Sequence, residues 1–553
     1  MIMSIVNDGG NMSKKLELLD CTLRDGCYIV EAKFGEALIK GLLKRLYAAG
    51  VDIIECGWLK NEPHAEGSAF FHLPDELEPY LPQEGRNDRQ LCLMIDWDRY
   101  DLKQLPPFSG QGADTIRMVF PHGKSKEAIA LSRKIVSQGY RLFFQAANTL
   151  SYSDEELEKL AEQVNDSGAE ALSIVDTFGA MYPADLERIH GVLDRRLAPH
   201  IKLGFHSHNN QQLSFALSMR FAELNAMSTR QGIIDSSLSG LGRGAGNATT
   251  ELVSSYLNRC CSSHYDLNEI LDAIDTYIEP LKTNFSWGYN TSYFISGYYC
   301  CHVNNIAYLK KNHRTLSRDM RLIIGSLSPE ERLLYKYDNL ERKYLDYSNR
   351  TVDDTEARTY IKRQFEGRKL LLLAPGRTLE THQEKIDSFI REERPLVIGI
   401  NSIPAHYSCD WLFFSKPLRY EYAREKSSET FIKTPKILAS NIKTAGDDNE
   451  YIVNYNLLIK LGWIFFDDSM IMFLRLLEKL GEQNVYLAGF DGFSLSENYN
   501  YADPFLQGEL DLQKRKELNA DISSMLRDVL DEAGVRLKLT FLTPSVYNSE
   551  DKR

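Results

Sequence analysis

The sequence predicts an α/β protein: an N-terminal (β/α)8 barrel with a helical appendix, followed by a second α/β domain. Eight short β-rich runs lie between about Leu16 and Gly246, each leading toward a stretch of helical period. A mainly helical, tyrosine-rich segment follows to about Arg350, and β-α alternation resumes near 366.

The eight runs are LELLD, VDIIECG, LCLMID, TIRMVF, RLFFQA, ALSIVD, IKLGFHSH and GIIDSSLSG. They begin near Leu16, Val51, Leu91, Thr115, Arg141, Ala171, Ile201 and Gly232. Stretches such as SKEAIALSRKIVSQG and SDEELEKLAEQV separate them, and a repeat of about 25 to 40 residues matches a closed eight-fold barrel. A doubly wound sheet is the alternative. The expected boundaries are a disordered leader at 1–15, the barrel at 16–262, a helical appendix and linker at 263–350, and the second domain at 366–553.

Composition narrows the function classes. The chain has 553 residues, 43% hydrophobic and 26% charged, and no run approaches the ~20 apolar residues of a membrane span. A formal charge of -12 argues against binding nucleic-acid backbones. The first residues carry no secretory signal, and nine cysteines without CxxC spacing suit reduced thiols in a cytoplasmic protein.

A barrel of this kind builds its active site at the carboxyl ends of its strands. The polar residues there are Thr22, Arg24 and Asp25 after the first run, Glu55 and Cys56 in the second, Gln145 and Asn148 at the fifth, and Asp176 and Thr177 at the sixth. The seventh run carries His206, Ser207 and His208. Residues two apart on a strand share a side, so both imidazoles can face one divalent ion, with Asp25 reaching it across the closed barrel. Ordinary core and surface histidines also occur at this spacing. Arg24 either pairs structurally with a carboxylate or, beside a metal, stabilises a developing enolate.

DCTLRDG (20–26), GFHSHNN (204–210) and DSSLSGLGRGAGNA (235–248) together resemble the metallolyase superfamily that includes 4-hydroxy-2-oxovalerate aldolase, hydroxymethylglutaryl-CoA lyase and isopropylmalate synthase. GLGRGAGNATTEL is most similar to the aldolases, and the resemblance spans about 16 to 310. It implies Mn2+ or Mg2+, with Zn2+ less favoured, held by Asp25, His206 and His208. It further implies Asn247 close to the metal, Arg24 on the enolate of a pyruvate-type 2-oxo acid, and an aldehyde as second substrate. SGYYCC is similar to the segment that carries a catalytic tyrosine, which maps to Tyr299. Asn247 also reads as a turn residue and Tyr299 as core. The aldolases have a histidine as general base where this chain has Tyr28, whose phenol could instead orient a water or shape the pocket; His64 and His122 are the alternative bases. An acyl-CoA-dependent lyase and a non-catalytic metal-bound scaffold are the competing readings, and the barrel family is compatible with a homo-oligomer.

In the second half, LLLLAPGRT places a glycine between a strand and a helix, where a phosphate can be received or a tight turn made. With GINS, LAGFDGF and LTPS at later strand ends, it resembles sialyltransferase-like and related Rossmann-like domains of bacterial surface-polysaccharide pathways. That similarity implies a bifunctional chain with a nucleotide sugar as ligand near Gly376, Asn401 and Asp491.

Overall fold

A computed structural model describes residues 16–548 except 84–88, 314, 350–351, 427, 445, 447–448, 482 and 509. The expected leader at 1–15 lies outside the described residues. The chain divides into two compact units, Met1–Val303 and Asn304–Arg553. The division falls inside the segment read as appendix and linker.

The first unit is a closed barrel of eight parallel strands. They are β1 (Leu16–Asp20), β2 (Ile53–Leu59), β4 (Gln90–Asp96), β5 (Thr115–Phe120), β6 (Arg141–Ala146), β7 (Ala171–Asp176), β8 (Lys202–Ser207) and β9 (Gly232–Ser236). Closure is made by β1, which pairs with β9 from Leu16↔Gly232 to Asp20↔Ser236 and with β2 at Leu19↔Ile53. A two-residue strand, β3 (Phe70–Phe71), adds to β2 outside the ring, an addition the apolar runs do not signal. Gly57 permits it: its φ is +149°, and a Cβ there would lie 2.0 Å from the Ala69 carbonyl oxygen. The register of β2 against β4 shifts between Glu55 and Gly57.

Helices cover the ring by their apolar stripes. In Asp154–Asn165 the buried residues are Leu157, Leu160, Ala161 and Val164, the spacing of one helix face, and Ser153 with Glu156 forms a capping box. Each leucine buried this way contributes about 1.5 to 3 kcal/mol. Inside the ring, Leu19, Cys21, Ile53, Cys92, Phe143, Ala171 and Ile233 form a small apolar plug. A charged layer begins above it with Arg117, which is fully buried.

The second unit holds a seven-stranded, wholly parallel sheet in the order β14-β13-β12-β11-β10-β15-β16. Its strands are β10 (Lys369–Leu373), β11 (Leu396–Ile400), β12 (Trp411–Phe414), β13 (Lys436–Ala439), β14 (Glu450–Val453), β15 (Gln483–Ala488) and β16 (Leu537–Phe541). The central strands are buried along their length, as expected for a parallel sheet covered on both faces. The architecture is therefore a TIM barrel followed by a second α/β fold.

Candidate metal centre and active site

The loop after β1 winds into a single helical turn, Thr22–Asp25, with all four residues buried. Asp20 and Thr22 stitch it in place: Thr22 N–H and Thr250 Oγ1 donate to Asp20, and Leu238 N–H donates to Thr22 Oγ1. Thr22 is thus a structural tie between the two ends of the barrel sheet. The turn aims Asp25 at the barrel axis, where its carboxylate and the His206 and His208 rings offer three ligand atoms within 4.8 Å of one another.

Each imidazole is oriented from behind. His206 Nδ1 lies 3.0 Å from Asp235 Oδ2, and His208 Nδ1 lies 3.2 Å from the Arg243 carbonyl oxygen. Both partners accept, so each ring carries its proton on Nδ1 and turns the Nε2 lone pair toward the other. The two Nε2 atoms are 3.4 Å apart, with rings crossed at 83°. Two nitrogens bound at about 2.1 Å to one ion stand about 3 to 3.5 Å apart, so this geometry fits a shared cation. Burial brings His208 down to about 4, keeping it neutral and able to ligate. Burial alone would raise the Asp25 carboxyl, but Arg24 and both imidazoles overcome it and hold the group well below the usual carboxylate range.

Asn247 donates from Nδ2 to Asp25 Oδ2 at 2.7 Å, while its Oδ1 is buried without a partner. A buried amide oxygen without a protein partner is a donor that a cation could use, and flipping the amide would turn that oxygen toward Asp25. The described residues therefore fit a divalent metal.

Around the triad runs a chain of alternating charge. Arg24 Nη1 donates to Asp25 at 2.5 Å and its Nε to Glu55 at 2.6 Å; Arg117 then pairs with Glu55 at 2.8 Å and with Asp235 at 2.6 Å. Asp25, Arg24, Glu55, Arg117, Asp235 and His206 form one buried relay. Among the described residues no acceptor engages Arg24 Nη2, which leaves a guanidinium face for an oxyanion. The strand-end pattern singles out Glu55 but misses Arg117 and Asp235. The available signal is a charged residue placed mid-strand in TIRMVF and GIIDS, where only a buried partner makes it tolerable.

Arg243 is a further residue that the motifs alone do not single out. Its side chain lies 4.9 Å from the Tyr28 ring and 2.8 Å from His302 Nε2, while its carbonyl holds His208. Tyr28 is about half exposed and its phenol, raised from its ordinary value rather than lowered, is protonated at neutral pH. His302 is held neutral, brought down to about 3 by burial and by Arg243. The helix Thr291–Tyr298 docks on the loops that follow β7 and β8: Gln211 Nε2 donates to Phe294 O, and a Cβ on Gly297 would meet Gln211 and the Gly179 carbonyl. Tyr299 ends this helix, half-buried, with its ring edge-on to Tyr298 at 4.9 Å.

The remaining candidates are held by contacts of their own. Gln145 bonds Ser173 inside the barrel, Asn148 N–H donates to Thr177, and Cys56 is fully buried. Ser207, buried between the two histidines, has its hydroxyl 3.4 Å from the His208 carbonyl. Asp176 accepts from the Ala180 and Met181 amides, and burial pushes it up to about 7. His64 has both ring nitrogens engaged, by Phe70 O and the Tyr80 hydroxyl; His122 sits between Glu156 and Tyr152. In the second unit, the Gly376 amide donates to Gly489 O and the Thr378 amide to Asp491. The turn that could receive a phosphate thus already holds the chain's own carboxylate. Asn401 accepts from the Ser415 and Lys416 amides.

The barrel thus carries a carboxylate and two imidazoles together at its carboxyl mouth. Residues 118–276 match the HMGL-like family. The chain is 30% identical over 289 residues to 4-hydroxy-2-oxovalerate aldolase 2 of Salinispora arenicola, covering 49% of this chain and 78% of that protein. It is 27% identical over 260 residues to an oxaloacetate decarboxylase of Mycobacterium tuberculosis, covering 46% and 74%. A solved N-terminal domain of a putative aldolase from Bacteroides vulgatus has a TM-score of 0.45 and 23% identity, covering 55% of this chain and 99% of that one. The N-terminal half of the chain belongs to the HMGL-like family of TIM-barrel metallolyases.

Proposed function

We propose that the barrel is a divalent-metal-dependent aldolase that makes or breaks the carbon–carbon bond between a pyruvate-type 2-oxo acid and an aldehyde. The observation that carries this reading is the convergence of Asp25, His206 and His208, each imidazole presenting Nε2. The substrates named for the aldolase and decarboxylase relatives support it, because both are 2-oxo acids. A bound ion, Mn2+ or Mg2+ in preference to Zn2+, would supply Lewis acidity toward the keto and carboxylate oxygens of such a substrate.

The chain's own residues do the rest. Asp235 and the Arg243 carbonyl fix the imidazole tautomers, and Asn247 supports Asp25 or adds a ligand. Arg24, held by Glu55, places a permanent positive charge where enolate charge develops. Tyr28 shapes the aldehyde side of the pocket and holds Arg243 by its ring face rather than acting as base. Tyr299 is assigned the catalytic role that the similarity of SGYYCC to the aldolase segment implies. The small-molecule reaction and the nine free cysteines suit a cytoplasmic enzyme, and no described helix is long and apolar enough to cross a membrane.

The test is a screen of pyruvate with a panel of aldehydes, read by mass spectrometry in Mn2+-loaded protein. An adduct should form with wild type and be absent in His206→Ala. Adduct formation only when an acyl-CoA is supplied would instead favour the CoA-dependent lyase reading.

A further inference from the structure

The second sheet reverses its winding. From β10 the chain steps outward through β11, β12, β13 and β14, then returns to lay β15 and β16 on the other side of β10. β10 and β15 are therefore neighbours whose connections leave in opposite directions, and in open parallel sheets ligands bind at the carboxyl ends of such a pair. A cavity of about 160 Å³ lies there. Its floor is backbone: a Cβ on Gly376 would lie 2.3 Å from the Gly489 carbonyl oxygen, so the two loops meet at their closest approach.

The walls are of two kinds. Phe465, Phe490 and Tyr501 give apolar and aromatic surface, while Lys416, Arg419 and Lys514 line the same space. Lys514 is only 4% exposed, with its ammonium 3.7 Å from the Phe465 ring centre; the Arg419 guanidinium stacks 5.0 Å from Tyr501. With Lys311 at the rim, four cationic side chains face three carboxylates, Asp467, Asp468 and Asp491. Asp467 is balanced by Lys416 at 2.5 Å, Asp468 accepts from the Met470 and Ile471 amides and Asp491 from Thr378, while Arg419 donates to the Leu506 carbonyl and Lys514 to Asn312 Oδ1, neutral oxygens that cancel none of their charge.

We propose that this crevice binds a nucleoside phosphate, free or as the nucleotide part of a larger molecule, with its base against the aromatic wall and its phosphate among Arg419, Lys514 and the rim Lys311. A bare phosphate would leave the aromatic wall uncovered, and an uncharged aromatic would bring no anion to the cationic wall. The phosphate does not sit at the Gly376 turn, because Asp491 fills it. This site is independent of the barrel's reaction.

The experiment is isothermal titration of the full chain with the mono- and diphosphates of uridine, cytidine, adenosine and guanosine, and with pyrophosphate. At least one nucleotide should bind one per chain, about tenfold or more tighter than pyrophosphate. Arg419→Ala should weaken it by at least about tenfold with an unchanged circular dichroism spectrum. Should that variant misfold, Lys311→Glu, at an exposed rim lysine, reads the same loss of phosphate affinity. No nucleotide binding up to about 1 mM, pyrophosphate binding as tightly as any nucleotide, or unchanged affinity in the folded variant would each overturn the proposal.

Discussion

Asp235 stands behind His206, where its Oδ2 accepts from both the imidazole Nδ1 and Arg117. Asp235→Asn should lower metal affinity by about 10- to 100-fold, the usual effect of losing a carboxylate behind a ligating imidazole. Calorimetric Mn2+ titration checks this, and an unchanged affinity would show that His206 does not ligate. Asp176 sets a pH dependence. Its carboxyl titrates near 7 when folded, against an ordinary value near 4, because burial disfavours its charge. Protonated Asp176 therefore favours the fold: that contribution is complete below pH ~4 and is lost as pH rises through about 7. Asp176→Asn should flatten the barrel's stability across this window, measurable by denaturant unfolding at several pH values; an unaltered slope would contradict the assignment. At this scale Arg24, Asp25, His206 and His208 are legible in DCTLRDG and GFHSHNN alone. Arg117 and Asp235 are not, because a strand's pattern does not say which distant charge will face a buried one.

β2 carries both Glu55 and the bulge around Gly57, so its backbone and its charge are set together. Gly57→Ala should cost more than the ~1 kcal/mol of an ordinary glycine replacement, since the added Cβ has no room against Ala69 O. Unfolding midpoints measure this, and a neutral change would mean that β3 is dispensable. Arg117→Met leaves Glu55 and Asp235 as buried carboxylates deprived of one cation and should cost about 3 to 5 kcal/mol. The apolar runs locate every barrel strand because each is a buried parallel strand, a continuous hydrophobic stretch bounded by polar loops. β13 and β14 do not stand out in the same way. Each has four residues, and β14 is only partly buried, so KILA and EYIV lack the length that separates a strand from a loop.

Each of the two units has its own apolar core, one around the barrel and one around the second sheet. Scanning calorimetry of the full chain should therefore resolve two transitions. Mn2+ should raise only the one belonging to the barrel, by mass action on the native state. A single transition shifted as a whole would show the units to be energetically fused. The proposed chemistry of the barrel is that Asp25, His206 and His208 hold an ion that makes pyruvate acidic at its methyl group. Proton NMR of pyruvate in D2O with Mn2+-loaded protein, the metal removed before acquisition, tests it most directly. The account predicts loss of the methyl signal at a rate proportional to protein, abolished by prior metal removal and by His206→Ala. An undiminished methyl signal with the fully metallated wild-type chain would contradict it.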